Sequence, residues 1–375
     1  MAEAFKNRFH LGLIERMGDS FKREWGEFDR RRFVALASDG LDDLELKQRS
    51  MQILSALEAT LPEGFPAAAE LLVASLHPEP NLKAWDEEPD ARGICGWAVM
   101  PMADYVAKFG QSHLALSMQV LKEMTCRFTA EFAIRPFLDQ QAEPTLKVLA
   151  TWLGDPNVHV RRLISEGTRP RLPWGMRLQA FDDDPSPMLP FLLALRDDPE
   201  EYVRRSVANH LNDISKRHPG LVAELAGDWM VGSDVNRQRL LRHACRSLIK
   251  AGHLPTLEVF GYGEPVLEVG AFTLSAERVK FGEVLEFEIE LRSSHSEDQR
   301  LMIDYVVHHQ KANGTLSPKV FKWKSVNLAA EGELELARAH RFKPVTTRVY
   351  HSGLHRLEIQ INGRSVAMAD FELEV

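Results

Sequence analysis

The sequence predicts a multidomain α and β chain, a helical-repeat solenoid followed by a β-sandwich. Three observations predict it. Up to about residue 260, apolar residues recur at helical spacing, as in Leu46, Ile53, Leu54 and Leu57 and in Val203, Val207, Leu211 and Ile214. After Gly261-Tyr262-Gly263 the period falls to two: Leu285, Phe287, Ile289 and Leu291 alternate with Glu286, Glu288 and Glu290. Within the helical part, a degenerate segment recurs.

The repeat reads DPNVHVRRLISEG from Asp155, DPEEYVRRSVANHLNDI from Asp198 and DVNRQRLLRHACRSLIK from Asp234. The first two starts are 43 residues apart and the next two 36. Each aspartate is placed to cap an arginine-rich helix, because its side chain can accept from free amides of the first turn. The segments LKVLATWLG and MLPFLLALR supply apolar helices ahead of the first two. Helix pairs at this period build a HEAT-like α-solenoid, whose concave face commonly binds. Residues 1–260 are therefore read as one helical-repeat domain.

The segment 265–375 is read as the second domain. Asn313-Gly314 and Asn362-Gly363 signal tight hairpins, and Phe371, Leu373 and Val375 continue the alternation. Short strands over this length fit an immunoglobulin-like β-sandwich, although no Cys-Trp-Cys signature marks an antibody-type domain.

Composition bounds the function. The chain has 375 residues, 44% hydrophobic and 27% charged, as expected of a soluble globular protein. No apolar run is long enough to span a membrane, and the N-terminus lacks a signal peptide's features, so no membrane partner is expected. Cys95, Cys126 and Cys245 lie far apart without a CxxC pair, which suits the cytoplasm and argues against a structural zinc. No P-loop, G-x-S-x-G motif, histidine-based triad or metal-ligand spacing is present, so no cofactor or metal is expected. The net charge of −8 means that any grip on nucleic acid needs a local basic surface.

Such a surface is available. Aligning Val160-Arg161-Arg162 with Val203-Arg204-Arg205 sets Glu166 against Asn209, with Asp213 one turn further. Spacing of four places Arg162 with Glu166, and Arg205 with Asn209 and Asp213, on one face. Arg242, Arg246 and Lys250 share a face in the third repeat. The segment 237–250 carries five basic residues and no acidic one. Together these could neutralise phosphates. A single arginine on such a helix is more simply solvated or paired with an inter-repeat aspartate.

The stretch ISEGTRPRLPWG, Ile164 to Gly175, interrupts the solenoid. Gly167, Pro170 and Pro173 end the helix, leaving Glu166 in its last turn, where the helix dipole disfavours a carboxylate. Trp174, between Pro173 and Gly175, either plugs a gap between repeats or presents its indole face; packing considerations alone favour the plug. Glu166 and Asp213, on neighbouring helices, could face one centre of positive charge, with Trp174 adding a cation–π contact. That arrangement suits cleavage of an N-glycosidic bond whose leaving base is already cationic. A carboxylate would stabilise the oxocarbenium-like transition state and another would position water, with no general acid required.

The opening AEAFKN, the core VRRLISEGTRPRLPWG, the later EYVRRSVANHLNDISKRHP and the terminal RFKPVTTRVYHSGLHRLEIQINGR carry a resemblance over nearly the whole chain. The sequence resembles the bacterial AlkC-type alkylpurine DNA glycosylases of the HEAT-like repeat superfamily. The resemblance implies excision of 3-methyladenine and 3-methylcytosine from double-stranded DNA without a deep base-flipping pocket. It implies catalytic roles for Glu166, Asp213 and Trp174. Asn209 stands where the more distant AlkD-type proteins carry a tryptophan, a departure that leaves the number of aromatic contacts open. Candidate DNA contacts are Arg162, Arg169, Arg171, Arg205, Asn209, His210, Arg242 and Arg246. In the sandwich, which the family uses to clasp DNA, they are Lys319, Lys322 and Lys324 with His308 and His309. A charged edge strand that discourages aggregation explains these equally well.

Two functions follow. The first is a monomeric, monofunctional glycosylase, since no lysine is among the residues given catalytic roles and Schiff-base lyase chemistry is not expected. The alternative is a non-enzymatic HEAT-repeat scaffold that binds protein or DNA, which architecture alone would favour.

Overall fold

The computed structural model describes residues 5–80, 87–346 and 348–375. The chain divides into two compact units, Met1–Arg217 and His218–Val375. Helix gives way to strand after the helix Leu254–Val259, but the division by compactness falls some forty residues earlier. The last four helices therefore group with the strands rather than with the helices before them.

In the first unit, the helices Val158–Gly167 and Glu201–Ile214 pack side by side. Their amphipathic faces bury Val160, Leu163 and Ile164 on one and Val203, Val207, Leu211 and Ile214 on the other. The two aspartates expected as caps sit further out. Asn157 caps the first helix, and Glu200 occupies the cap position of the second. Asp155 Oδ1 instead accepts from the Asn157 amide at 2.8 Å, and Asp198 Oδ1 from the Glu200 amide at 2.9 Å. The following proline explains the offset, since it restricts the backbone before it and supplies no amide to cap. Asp234, with no such proline, does cap the helix Val235–Ala244.

The repeat survives as a set of bonds. Arg161 donates to the Asp155 carbonyl at 2.8 Å, and Arg204 to the carbonyls of Asp198 and Pro199. Arg161 also reaches across to Asp198 at 2.6 Å, tying one repeat to the next. Arg205 points elsewhere. It is exposed and pairs with Glu201, while Asp213 is buried. Two steps of four accumulate a drift of roughly 80° at about 100° per residue, so Arg205 and Asp213 do not share a face. Asp213 lies instead on the buried side with Ser206 and His210.

In the second unit, Pro219–Met230, Val235–Ala244, Arg246–Lys250 and Leu254–Val259 are helices. Eight strands follow: β1 Leu267–Leu274, β2 Arg278–Lys280, β3 Val284–Ser293, β4 Gln299–Gln310, β5 Leu316–Leu328, β6 Glu333–Arg341, β7 Gly353–Ile361 and β8 Arg364–Glu374. They form a three-stranded sheet ordered β1-β3-β6 and a five-stranded sheet ordered β2-β8-β7-β4-β5. In β3 the alternation is strict, with Leu285, Phe287, Ile289 and Leu291 buried. They share one core with Leu301, Ile303, Leu357, Ile359 and Phe371 of the other sheet. Val375 lies beyond β8 and is exposed, so the last alternation stops at Leu373.

Asn362 and Gly363 join β7 to β8 with φ of 48° and 78°. Both central residues of this two-residue turn are left-handed, as an Asn-Gly hairpin of the type that matches strand twist requires. Gly363 is also a contact point. A Cβ built on Gly252, in the turn before the last helix, would lie 2.5 Å from the Gly363 Cα. Gly363→Ala should therefore lower unfolding stability by roughly 2–3 kcal/mol, combining left-handed strain with overpacking. Urea denaturation would measure this, and Gly282→Ala, with positive φ but open space around it, should cost less.

Candidate active site

The helix Val158–Gly167 ends because Pro170 and Pro173 follow it. Gly167 is its last helical residue and does not adopt a left-handed cap. Its role is close packing, since a Cβ there would meet Ile134 Cγ2 at 2.7 Å. The chain then turns back under the control of Arg135, whose side chain is wholly buried. Arg135 donates to the carbonyls of Gly167 at 2.8 Å, Arg169 at 2.7 Å and Met176 at 2.7 Å. Burial, then the nearby charge of Arg169, depresses its pKa to about 10. It remains charged at neutral pH and fastens both ends of the loop.

That turn places Arg169 between two carboxylates. Its Nη1 donates to Glu166 Oε1 at 2.7 Å. Its Nε and Nη2 donate to Asp213 Oδ2 and Oδ1 at 2.8 and 3.3 Å, a forked pair. All three residues are buried. The other oxygen of Glu166 accepts from Ser206 Oγ at 2.5 Å, and Ser206 accepts from Ser165 Oγ at 2.7 Å. Burial alone would raise the Glu166 pKa. Arg162, Arg169 and the Ser206 hydroxyl outweigh burial and hold it below the ordinary value, so the group is anionic at neutral pH.

A third carboxylate joins the cluster. Glu131 Oε2 accepts from Arg162 Nη1 at 2.5 Å and from Thr129 Oγ1 at 2.7 Å. Arg162 Nη2 lies 3.5 Å from Glu166, and the guanidinium sits 4.9 Å from the Tyr202 ring centre. The expectation for Glu166 therefore changes in kind. It is not a lone carboxylate at an unfavourable helix end; two guanidiniums compensate it.

Glu131, Glu166 and Arg169 line a cavity of about 730 Å³. Phe5, Trp97, Phe128, Phe132 and Trp174 form aromatic parts of its wall, and Asp104 and Lys47 contribute on other sides. Trp174 is no plug. It is 60% exposed, with φ of 65°, an uncommon conformation for a bulky residue. Lys47 Nζ holds the Trp174 carbonyl at 2.6 Å, and the Phe5 ring meets the indole edge-on with centroids 6.1 Å apart. A strained, exposed indole held from both sides is a common property of functional positions. Asp213 does not line this cavity; it is connected to it through Arg169.

Several expected DNA contacts take other roles. Arg169 is buried and Arg162 half-buried, both among carboxylates, and neither is presented to phosphates. Arg171 pairs with Asp182 at 2.7 Å. His210 has no exposed surface; its Nδ1 bonds the Ser165 carbonyl at 2.9 Å, and burial depresses its pKa to about 4, so it is a neutral core group. Asn209 is half-buried, and Arg205, Arg242 and Arg246 are exposed. On the edge strand β5, Lys319, Lys322 and Lys324 are exposed. His309 is buried with its ring nitrogens unpartnered, which removes it as a surface contact, and His308 pairs with Glu358 at 2.6 Å. Glu131, Arg135 and Ser206 escaped the sequence reading. Ser206 left a signal, since it replaces Leu163 in the aligned repeat. Among the described residues no group of three or more His, Cys, Asp or Glu is arranged to hold a metal ion, and no helix is long and apolar enough to cross a membrane.

A helical unit with a guanidinium clamped by two buried carboxylates, in a chain that ends in a two-sheet domain, defines the class to which this protein belongs. The family of C-terminal Ig-like domains of the uncharacterised protein YhaZ matches residues 268–375. The chain is 35% identical over 370 residues to YhaZ of Bacillus subtilis, covering 98% of this chain and 99% of the relative. The solved structure of Pseudomonas fluorescens alkylpurine DNA glycosylase AlkC, bound to DNA containing an abasic site analogue, is similar over 100% of both chains, with a TM-score of 0.83 and 33% identity. The chain belongs to the AlkC family of alkylpurine DNA glycosylases.

Two outcomes test the site's construction. Arg135→Met should cost roughly 3 kcal/mol or more, because two buried carbonyls and a partly buried one lose their donor, and the loop should become sensitive to limited proteolysis. Arg169→Gln should raise the Glu166 pKa toward its ordinary 4.5 or above. Because the folded-state value is depressed, the stability contributed by Glu166 is present above the unfolded-state pKa and lost as pH falls through the folded one. The variant's acid-unfolding midpoint should accordingly move to higher pH, and carboxyl NMR titration would report the shift directly.

Proposed function

We propose that this protein is a monofunctional DNA glycosylase that hydrolyses the N-glycosidic bond of cationic N-methylated bases in double-stranded DNA, 3-methyladenine and 3-methylcytosine first among them. The observation that carries the reading is the carboxylate pair, Glu166 and Asp213, held by Arg169, with Glu166 lining an aromatic-walled cavity. The similarity to the alkylpurine DNA glycosylase AlkC supports the substrate class.

In the proposed reaction the C1′–N bond breaks and its electron pair neutralises the departing base. Positive charge develops at C1′ and on the ring oxygen of the sugar. Glu166 stabilises that charge, and Glu166 or Asp213 orients a water that adds to C1′, and takes up the proton that this water releases. Trp174 lies against the sugar or the cationic base. Since the base leaves neutral, no general acid takes part. The carboxylates need little reorganisation during the step because arginines already hold them, which is how preorganised electrostatics lower a barrier. Lys47 and Lys108 line the cavity, but Lys47 is engaged by the Trp174 carbonyl and Lys108 by Glu58. This supports hydrolysis without lyase chemistry.

The proposed enzyme acts as a monomer in the bacterial cytoplasm and needs no cofactor. Residues 1–260 serve as the HEAT-like catalytic solenoid, while the sandwich from residue 265 clasps DNA through the exposed lysines of β5. The duplex is gripped by its backbone, and the lesion is not drawn into a deep pocket.

Release of 3-methyladenine from methylated duplex DNA tests the reading. Glu166→Gln and Asp213→Asn should each slow it by roughly 10²-fold or more, in line with loss of one preorganised electrostatic group, while thermal unfolding confirms that each variant is folded. Release by both variants at the wild-type rate would sink the assignment. Duplex binding by the wild type without base release would favour the scaffold.

A further inference from the structure

The second unit contains a cavity, lined in part by Arg242, to which the reaction proposed above gives no role. It encloses about 390 Å³ between the helices Val235–Ala244 and Leu254–Val259 and the start of β4. Three arginines line it: Arg239, Arg242 and Arg300. Two stand one turn apart on one helix and the third lies in β4, and none forms an ion pair among the described residues. In a chain of net charge −8, three guanidiniums that form no ion pair line one cavity, and no carboxylate is among its lining residues. That arrangement raises the affinity for an anion from solution.

The guanidiniums are also oriented. Arg242 sits 5.2 Å from the Phe260 ring centre and Arg300 4.7 Å from that of Tyr262. Both rings are buried and therefore fixed. Arg300 Nη1 additionally donates to the Phe260 carbonyl at 3.2 Å. Stacking on a ring immobilises a guanidinium plane and leaves N–H edges free to donate. The planar fork of donors matches phosphate oxygens better than a single ammonium would. The volume lies near the small end of the roughly 300–1,000 Å³ found for ligand pockets.

We propose that Arg239, Arg242 and Arg300 form a phosphate-binding pocket that joins the helical segment of the second unit to its β-sheet domain through one bound phosphate. The source of the phosphate is the backbone of duplex DNA, a point that rests on the proposed function. A free phosphate would use the same chemistry. Because Arg300 belongs to β4 and the other two belong to a helix, an occupied pocket would also tie these elements together.

The test uses the full-length chain in two arms. Isothermal titration with inorganic pyrophosphate at low salt should show binding that Arg239→Gln and Arg300→Gln each weaken at least tenfold. Both residues are exposed, and among the described residues Arg239 forms no hydrogen bond or ion pair. In the second arm, affinity for unmodified duplex DNA is measured against salt. Each variant should reduce the slope of log K against log salt by about 0.9, the value for one lost phosphate contact. Loss of pyrophosphate binding with an unchanged DNA slope would keep the pocket but overturn the backbone as its source. Pyrophosphate binding by a wild type with no affinity for duplex would support the pocket while defeating the DNA reading. Unchanged pyrophosphate affinity and an unchanged DNA slope would overturn the proposal.

Discussion

The construction of the candidate site depends on one interaction, the guanidinium of Arg169 held between Glu166 and Asp213. Two carboxylates buried this close would repel each other, and burial alone would drive at least one to take up a proton. Arg169 removes both problems by sitting between them. A buried ion pair of this kind contributes little net stability, because desolvation of the charges offsets most of the attraction. What it contributes is position. Glu166 is fixed by Arg169, Arg162 and Ser206, and Asp213 is met by two nitrogens of one planar group.

The rest of the first unit can be understood as support for that guanidinium. Arg135 fixes the loop backbone on both sides of Arg169. Pro170 and Pro173 prevent the helix from continuing, which would carry Arg169 away along the helix axis. Gly167 lets the end of its helix approach Ile134. The same loop leads to Trp174, left exposed at the cavity with a strained backbone. An uninterrupted helical repeat could not present an arginine to two neighbouring helices and an indole to solvent within six residues. The broken helix is the device that does so.

The fold was largely legible. Periodicity of 3.6 and then of two separates the helices from the strands, and Asn362-Gly363 marks its turn because only left-handed residues fit there. The repeated segments were legible as well, though in the first two the aspartate stands two residues outside the cap position, since a proline follows each. The candidate site was legible in part. Glu166 and Asp213 stand out because charged residues occupy positions on amphipathic helices that packing does not explain. The partners of the arginines were not legible. Arg162 and Arg169 looked like phosphate ligands, because a sequence shows charge but not what lies across the fold. Glu131 and Arg135 come from a segment with no repeat signature, and only three-dimensional proximity makes them part of the site. Ser206 was the exception, a polar residue at a position where the aligned repeat carries leucine.

If Arg169 couples the two carboxylates into one unit, their contributions to catalysis cannot be independent. A double-mutant cycle of Glu166→Gln and Asp213→Asn, followed by single-turnover release of 3-methyladenine, measures that coupling. The account predicts that the double variant is hardly slower than the worse single one, because the first substitution already disrupts the shared clamp. Rate losses that multiply in full would show two carboxylates acting separately and would contradict it.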